Sequence, residues 1–167
     1  YLQAVVAVED HRFYSHHGVD WRSILRACWN NLKAGEIVEG GSTITQQLLK
    51  NNVFTDWTEE SSLSEKLERK IQEQYLAIQL EKRMDKDTIL ENYLNTINLG
   101  QNTLGVRAAS HRYFDKDVSE LNLSESAVLA AITQNPSRFN PLTNPEKNAE
   151  RRKKVLDNML EQEYINQ

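Results

Sequence analysis

Apolar and polar positions along this chain repeat at three-and-four spacing almost from end to end, a pattern that predicts helices and little else. The clearest stripe lies between Trp21 and Leu32, where Trp21, Ile24, Leu25, Cys28, Trp29 and Leu32 share one helix face. Before it, the mostly apolar run Leu2 to Val8 has the character of core, and it stops abruptly at Glu9 and Asp10. Thr43, with Gln46 three residues on, forms a capping-box pattern that starts a helix running to about Asn52. Ser62 with Glu65 repeats the pattern for a long helix to about Lys82, with Leu67, Ile71, Tyr75 and Ile78 expected to face inward. Further helices are predicted from Asp87 to Asn98, with Gly100 just beyond, from Val106 to Phe114 and from Ser124 to Thr133. Asn144 followed by Pro145 starts the last one.

Composition narrows this picture. With 167 residues the chain can bury a sizeable core but is short for two independent domains, so one domain is expected. A net charge of −4 excludes a general nucleic-acid binder, and any anion must therefore be held locally. The single cysteine, Cys28, rules out an intrachain disulfide and a cysteine zinc site. No run approaches the roughly 18 apolar residues of a spanning helix.

Two segments carry candidate chemistry. EDHRFYSHHG, from Glu9 to Gly18, places a carboxylate at the edge of an apolar run, and partial desolvation there suits a general base. GGSTITQQLLKN, from Gly40 to Asn51, is a glycine hinge opening a helix with two glutamines and a lysine, a face suited to polar, anionic ligands. Taken singly these features have plainer readings. Glu9 and Asp10 alone read as an acidic helix end, and Arg69 with Glu73 as an exposed ion pair worth roughly a few tenths of a kcal/mol. His16 and His17, beside a glycine turn and without a third ligand at metal spacing, read as structural. The tryptophans Trp21 and Trp29 suit a core or a membrane belt equally well.

Taken together, the two segments resemble the first two signature motifs of the peptidoglycan glycosyltransferases, the family 51 enzymes that polymerise lipid II. Arg69, Lys70 and Glu73 resemble the third, Lys86, Ile89, Leu90, Tyr93, Leu94 and Asn95 the fourth, and RAASHRYFDK from Arg107 to Lys116 the fifth. The similarity continues through LSESAVLAAITQNPSRFNP and so covers nearly the whole chain in the family's order.

The resemblance implies a mainly α fold, a lysozyme-like helical lobe with a small membrane-facing jaw at about residues 22–60. It implies one catalytic domain over 1–167 on the extracytoplasmic face of a bacterial plasma membrane. Family members normally carry a membrane anchor before such a domain and often a transpeptidase domain after it, so the chain reads as truncated. The implied partners are lipid II, the growing glycan chain, the membrane surface and cell-wall assembly proteins. Glu9 is the implied base. Lys50, Arg69 and Lys70 would neutralise the departing pyrophosphate. Glu73 would orient those cations or hold a divalent ion, magnesium or manganese. Asp10, Gln46 and Gln47 would position substrate, and Ser42 and Thr43 would shape the phosphate end.

Two segments depart from the family pattern. Glu59, Glu60 and Glu65 stand where an arginine is usual, and Asn102 replaces a glycine, although asparagine tolerates a left-handed backbone. Two other functions compete. A lysozyme-like glycoside hydrolase would not need the cation cluster, and a non-catalytic assembly module would not need Glu9, Lys50 and Glu73 together.

Overall fold

Several helices of this chain begin where a side chain satisfies the backbone donors of the first turn. Thr43 accepts from the Gln46 amide at 3.2 Å while Gln46 Oε1 accepts from the Thr43 amide at 3.0 Å, and Ser62 and Glu65 do the same for the next helix. Asn122 with Glu125 adds a third such pair. The computed structural model describes residues 1–36, 40–53 and 62–166. Within them the chain is mainly α, with helices α1 (Leu2–Glu9), α2 (Trp21–Ala34), α3 (Ile44–Asn52), α4 (Leu63–Glu81), α5 (Lys86–Thr96), α6 (Val106–Phe114), α7 (Leu123–Ile132) and α8 (Pro145–Glu161). The only β feature among the described residues is an isolated bridge between Asn98 and Leu104.

The chain forms two compact units, Tyr1–His11 with Leu94–Gln167, and Arg12–Tyr93. In the first, α7 is buried at every residue from Ser126 to Ile132 and packs on α8, α1 and α6. Helix α1 buries Ala4, Val5, Val6 and Ala7, and α8 covers it with Val155 and Met159. The Ala7 carbonyl, near the end of α1, accepts from Asn158 Nδ2 at 3.2 Å and from Gln162 Nε2 at 3.0 Å. Because α1 is anchored at both its apolar face and its last turn, Glu9 at its end has a fixed position.

The second unit is built on Phe13, Val19, Ile44, Leu48, Ala77, Ile89 and the fully buried Tyr93. Residues 22–60, expected as the jaw, fall within this unit, and 37–39 and 54–60 lie outside the described residues. Helix α2 is capped by Asp20, whose Oδ1 accepts from the Arg22 amide at 3.1 Å and whose Oδ2 accepts from Ser23 Oγ at 2.6 Å. Arg12 Nε stands 3.0 Å from Asp20 Oδ2. Burial works against ionisation of Asp20, but the Ser23 hydroxyl and amide, the Arg12 charge and the Arg22 amide outweigh it and hold the carboxyl below its ordinary value.

One expectation is overturned. Leu67, Ile71 and Tyr75 of α4 are 64%, 58% and 61% exposed rather than turned inward. The helix buries its other face, through Glu73 and Ala77, against α3. That face carries polar groups that find partners there, Lys70 on Ser42 and Glu81 on Thr45, so its burial leaves few donors unpaired. On α2, likewise, Ala27 is the residue buried, while Trp21, Leu25, Trp29 and Leu32 are exposed.

Gly18 joins the turn after His17 to α4. It has φ +88°, and a Cβ there would stand 2.6 Å from the Ala77 carbonyl carbon. Gly18→Ala adds a left-handed strain of about 1–2 kcal/mol to an overpacking cost of about 1–3 kcal/mol. Thermal unfolding should show the melting temperature falling by about 10 °C. Gly35→Ala, at φ +71° with nothing within 4 Å of the added methyl, should lose only a fraction of that.

Candidate active site

Glu9 closes α1 in the first unit, with its side chain 9% exposed. The Thr133 hydroxyl, just past the end of α7, lies 2.7 Å from Glu9 Oε1 and 2.8 Å from the Ala130 carbonyl. Arg151 of α8 brings Nη2 to 3.9 Å from the same carboxylate oxygen. The groups around Glu9 respond to its charge. Burial, then the Glu9 charge, push the Tyr1 phenol up, and burial pulls the Arg151 guanidinium down against the raising effect of Glu9. The result is a carboxylate held in a mostly buried polar pocket, with a hydroxyl and a cation fixing its orientation. Asp10 follows as the C-cap of α1 and is itself buried.

The remaining candidates belong to the second unit. Lys70 Nζ donates to Ser42 Oγ at 2.8 Å and to Glu73 Oε1 at 2.6 Å, so one ammonium joins the glycine hinge to the buried carboxylate of α4. Lys70 keeps 37% of its side chain exposed, and Glu73 keeps 4%. The glycine hinge lies directly against α2, where a Cβ on Gly41 would stand 2.9 Å from Ile24 Cα. Thr43 donates to the Gly18 carbonyl at 2.7 Å and accepts within the capping box, so its hydroxyl fixes α3 against the turn that follows His17. Gln46 is fully buried and completes the same box. Gln47 Oε1 accepts from the Tyr93 hydroxyl at 3.0 Å. Lys50 is exposed in the last turn of α3, and Arg69 is half-buried on α4 next to Lys70.

A second polar tie fixes α3 against α4. Glu81 Oε1 accepts from Thr45 Oγ1 at 2.5 Å and from Lys86 Nζ at 2.8 Å, with His16 Nδ1 4.0 Å away. Lys86 also stands over the Phe13 ring at 4.4 Å. His16 is thus part of a buried structural cluster, as its position beside a glycine turn suggests. Thr133, Arg151 and Glu81 are missing from a reading of the sequence. Arg151 stands in the polar run ERRKK with nothing to distinguish it from Arg152, and Thr133 contacts a residue 124 positions away. No group of three or more histidine, cysteine or acidic side chains suited to a metal occurs among the described residues. Glu59 and Glu60 lie outside them.

Comparison with known proteins addresses the chain as a whole. The family model described as transglycosylase matches residues 1–160. Penicillin-binding protein 1F of Bacillus subtilis (strain 168) is 48% identical over 163 residues, covering 98% of this chain and 22% of the relative. Penicillin-binding protein 1A of Aquifex aeolicus (strain VF5) is 48% identical over 164 residues, with the same coverage of both chains. Penicillin-binding protein 1A of Pseudomonas aeruginosa is 43% identical over 167 residues, all of this chain and 20% of the relative. The chain spans about a fifth of the length of these curated relatives. With the family model matched over nearly all of its residues, the chain belongs to the transglycosylase family.

Proposed function

We propose that this chain is a peptidoglycan glycosyltransferase that polymerises lipid II into β-1,4-linked glycan strands and releases undecaprenyl pyrophosphate. The observation that carries the reading is Lys70 between Ser42 and Glu73, a half-exposed cation held where an anion could replace Ser42 as its partner. Arg69, beside Lys70 on α4, and Lys50, in the last turn of α3, add positive charge. Hydrolysis of a neutral glycosidic bond has no use for such a cluster.

The acceptor's 4-hydroxyl is a poor nucleophile, and Glu9 takes its proton as the oxygen bonds to the donor's anomeric carbon. The bond from that carbon to the pyrophosphate oxygen breaks on the opposite face, and its electron pair leaves with the pyrophosphate. Lys70, Arg69 and Lys50 meet the charge that develops there. One displacement turns an α-linked phosphate into a β-linkage. Asp10 and Gln47 position substrate. The hydroxyl of Thr43 and the amide oxygen of Gln46 act through the position of α3.

A divalent cation, magnesium or manganese, would find Glu73 as its carboxylate. The Oε1 atom of Glu73 is taken by Lys70, and Glu73 belongs to no group of three or more histidine, cysteine or acidic side chains suited to a metal among the described residues. This donor set fits an ammonium better than a divalent ion, so no step is assigned to metal. In an assay with lipid II, polyprenyl pyrophosphate should appear in step with polymer. Release of disaccharide without polymer would give the hydrolase reading instead.

A polyprenyl-linked substrate also requires the site to work at a bilayer surface. No helix among the described residues is long and apolar enough to cross a membrane. Helix α2 instead exposes Trp21, Leu25, Trp29 and Leu32, between 60% and 77%, beside Arg22, Arg26 and Lys33. Aromatic and leucine side chains next to basic ones suit an interface with anionic head groups. Ile37 and Val38, which continue this apolar character in sequence, lie outside the described residues. Leu25→Asp with Trp29→Asp should abolish cosedimentation with phosphatidylglycerol vesicles and leave the melting temperature within about 2 °C, because exposed positions add little to the core. Retained vesicle binding would place the contact elsewhere.

A further inference from the structure

A general base has to be held in two states, as a carboxylate before the acceptor's proton arrives and as a neutral acid afterwards. One residue that touches Glu9 is Thr133, the C-cap of α7. It keeps helical backbone angles, φ −54° and ψ −40°, directly after the buried run Ser126 to Ile132, and is itself 8% exposed. A threonine in this place has an ordinary use. Its hydroxyl bonds back to the carbonyl three residues earlier, here Ala130 at 2.8 Å, one of the last four of α7, where partners within the helix run out. The bond to Glu9 Oε1 at 2.7 Å, across 124 positions of chain, lies outside that use.

A hydroxyl carries one hydrogen and two lone pairs, so Thr133 Oγ1 cannot donate to Glu9 and to Ala130 at the same time. With Glu9 ionised the hydrogen goes to the carboxylate, because a hydrogen bond to a charged oxygen is roughly twice as strong as a neutral one. With Glu9 protonated that advantage is gone. The hydroxyl then turns to the Ala130 carbonyl, and its lone pair meets the carboxyl O–H. No heavy atom has to move for this, since both separations are already those of a hydrogen bond. Arg151 cannot do the same. Its Nη2 stands 3.9 Å from Oε1, a charge beside the carboxylate rather than a hydrogen bond, and a guanidinium has no acceptor to offer an acid.

We propose that Thr133 is a positioning residue that holds Glu9 on both sides of the proton transfer by rotating its hydroxyl between Glu9 and the Ala130 carbonyl. The inference rests on the reading of Glu9 as base under Proposed function. The acceptor's proton passes to Glu9, and Thr133 neither gains nor loses one. Because support is in place for both states, reorganisation of the site adds little to the barrier.

Two substitutions test it on lipid II, with kcat and KM measured separately. Thr133→Val keeps the shape and removes the hydroxyl. It should lower kcat about tenfold with KM within about twofold of the parent, the low end of what a hydrogen bond to a charged group supplies. Thr133→Ser keeps the hydroxyl and should stay within about threefold of the parent. A parental kcat in Thr133→Val, a raised KM with kcat unchanged, or Thr133→Ser as slow as Thr133→Val would each overturn the proposal, the last because the methyl group would then be what matters. Thermal unfolding tests the contact apart from activity. The melting-temperature losses of Thr133→Val and Glu9→Ala should be less than additive in the double variant, since each removes the same bond. Additive losses would overturn the proposal. Coupled losses in a protein inactive on lipid II would instead sink the glycosyltransferase reading and leave the hold of Thr133 on Glu9 standing.

Discussion

Glu9→Gln should abolish nearly all polymerisation of lipid II while the protein stays folded. A positioned general base contributes about 10²–10⁴-fold, and the amide cannot accept the acceptor's proton. The fold should survive because the amide oxygen can still accept from Thr133, and Arg151, 11% exposed, stands 3.9 Å from Oε1 rather than in a tight bidentate pair. Single-turnover rates on lipid II, with thermal unfolding alongside, are the measurement. Turnover within about threefold of the parent, less than the smallest effect expected of a general base, would remove Glu9 from the role of base.

Glu73→Gln should produce the second-largest loss, about 10²-fold, by a different route. The carboxylate holds Lys70 at 2.6 Å, and without its charge the lysine can leave Ser42 for solvent, since 37% of its side chain is already exposed. A cation that no longer stands where pyrophosphate charge develops stops stabilising the transition state. On the reading in which Lys70 rather than a metal takes up Glu73, the loss should be the same across a titration of magnesium or manganese. A loss that shrinks as the divalent ion is raised would assign Glu73 to metal binding and contradict the ion-pair account.

The helices of this chain are largely legible in its sequence because their starts are local. Thr43 with Gln46, Ser62 with Glu65, and Asn144 before Pro145 each satisfy or remove backbone donors within one turn, and each marks a helix start in the structure. Which face of a helix turns inward is not local. The stripe Leu67, Ile71, Tyr75 has the right period for a buried face, yet α4 buries the side that carries Glu73, because Ser42 and Thr45 supply partners there. The left-handed turn at Asn102 can be read from the residue type, whereas that at Gln101 cannot, since it depends on Arg112 and on its glycine and asparagine neighbours. The same limit applies to the candidate site. Glu9 and Glu73 stand out by motif, but Thr133 and Arg151 become visible only once α1, α7 and α8 pack together.

Glycan transfer from lipid II with inversion is read out by size separation of the products formed from labelled lipid II. The protein, incubated with lipid II in detergent or vesicles, should yield a ladder of long strands that a β-1,4-specific muramidase reduces to disaccharide units. Disaccharide monomers without strands, or strands that resist the muramidase, would contradict it.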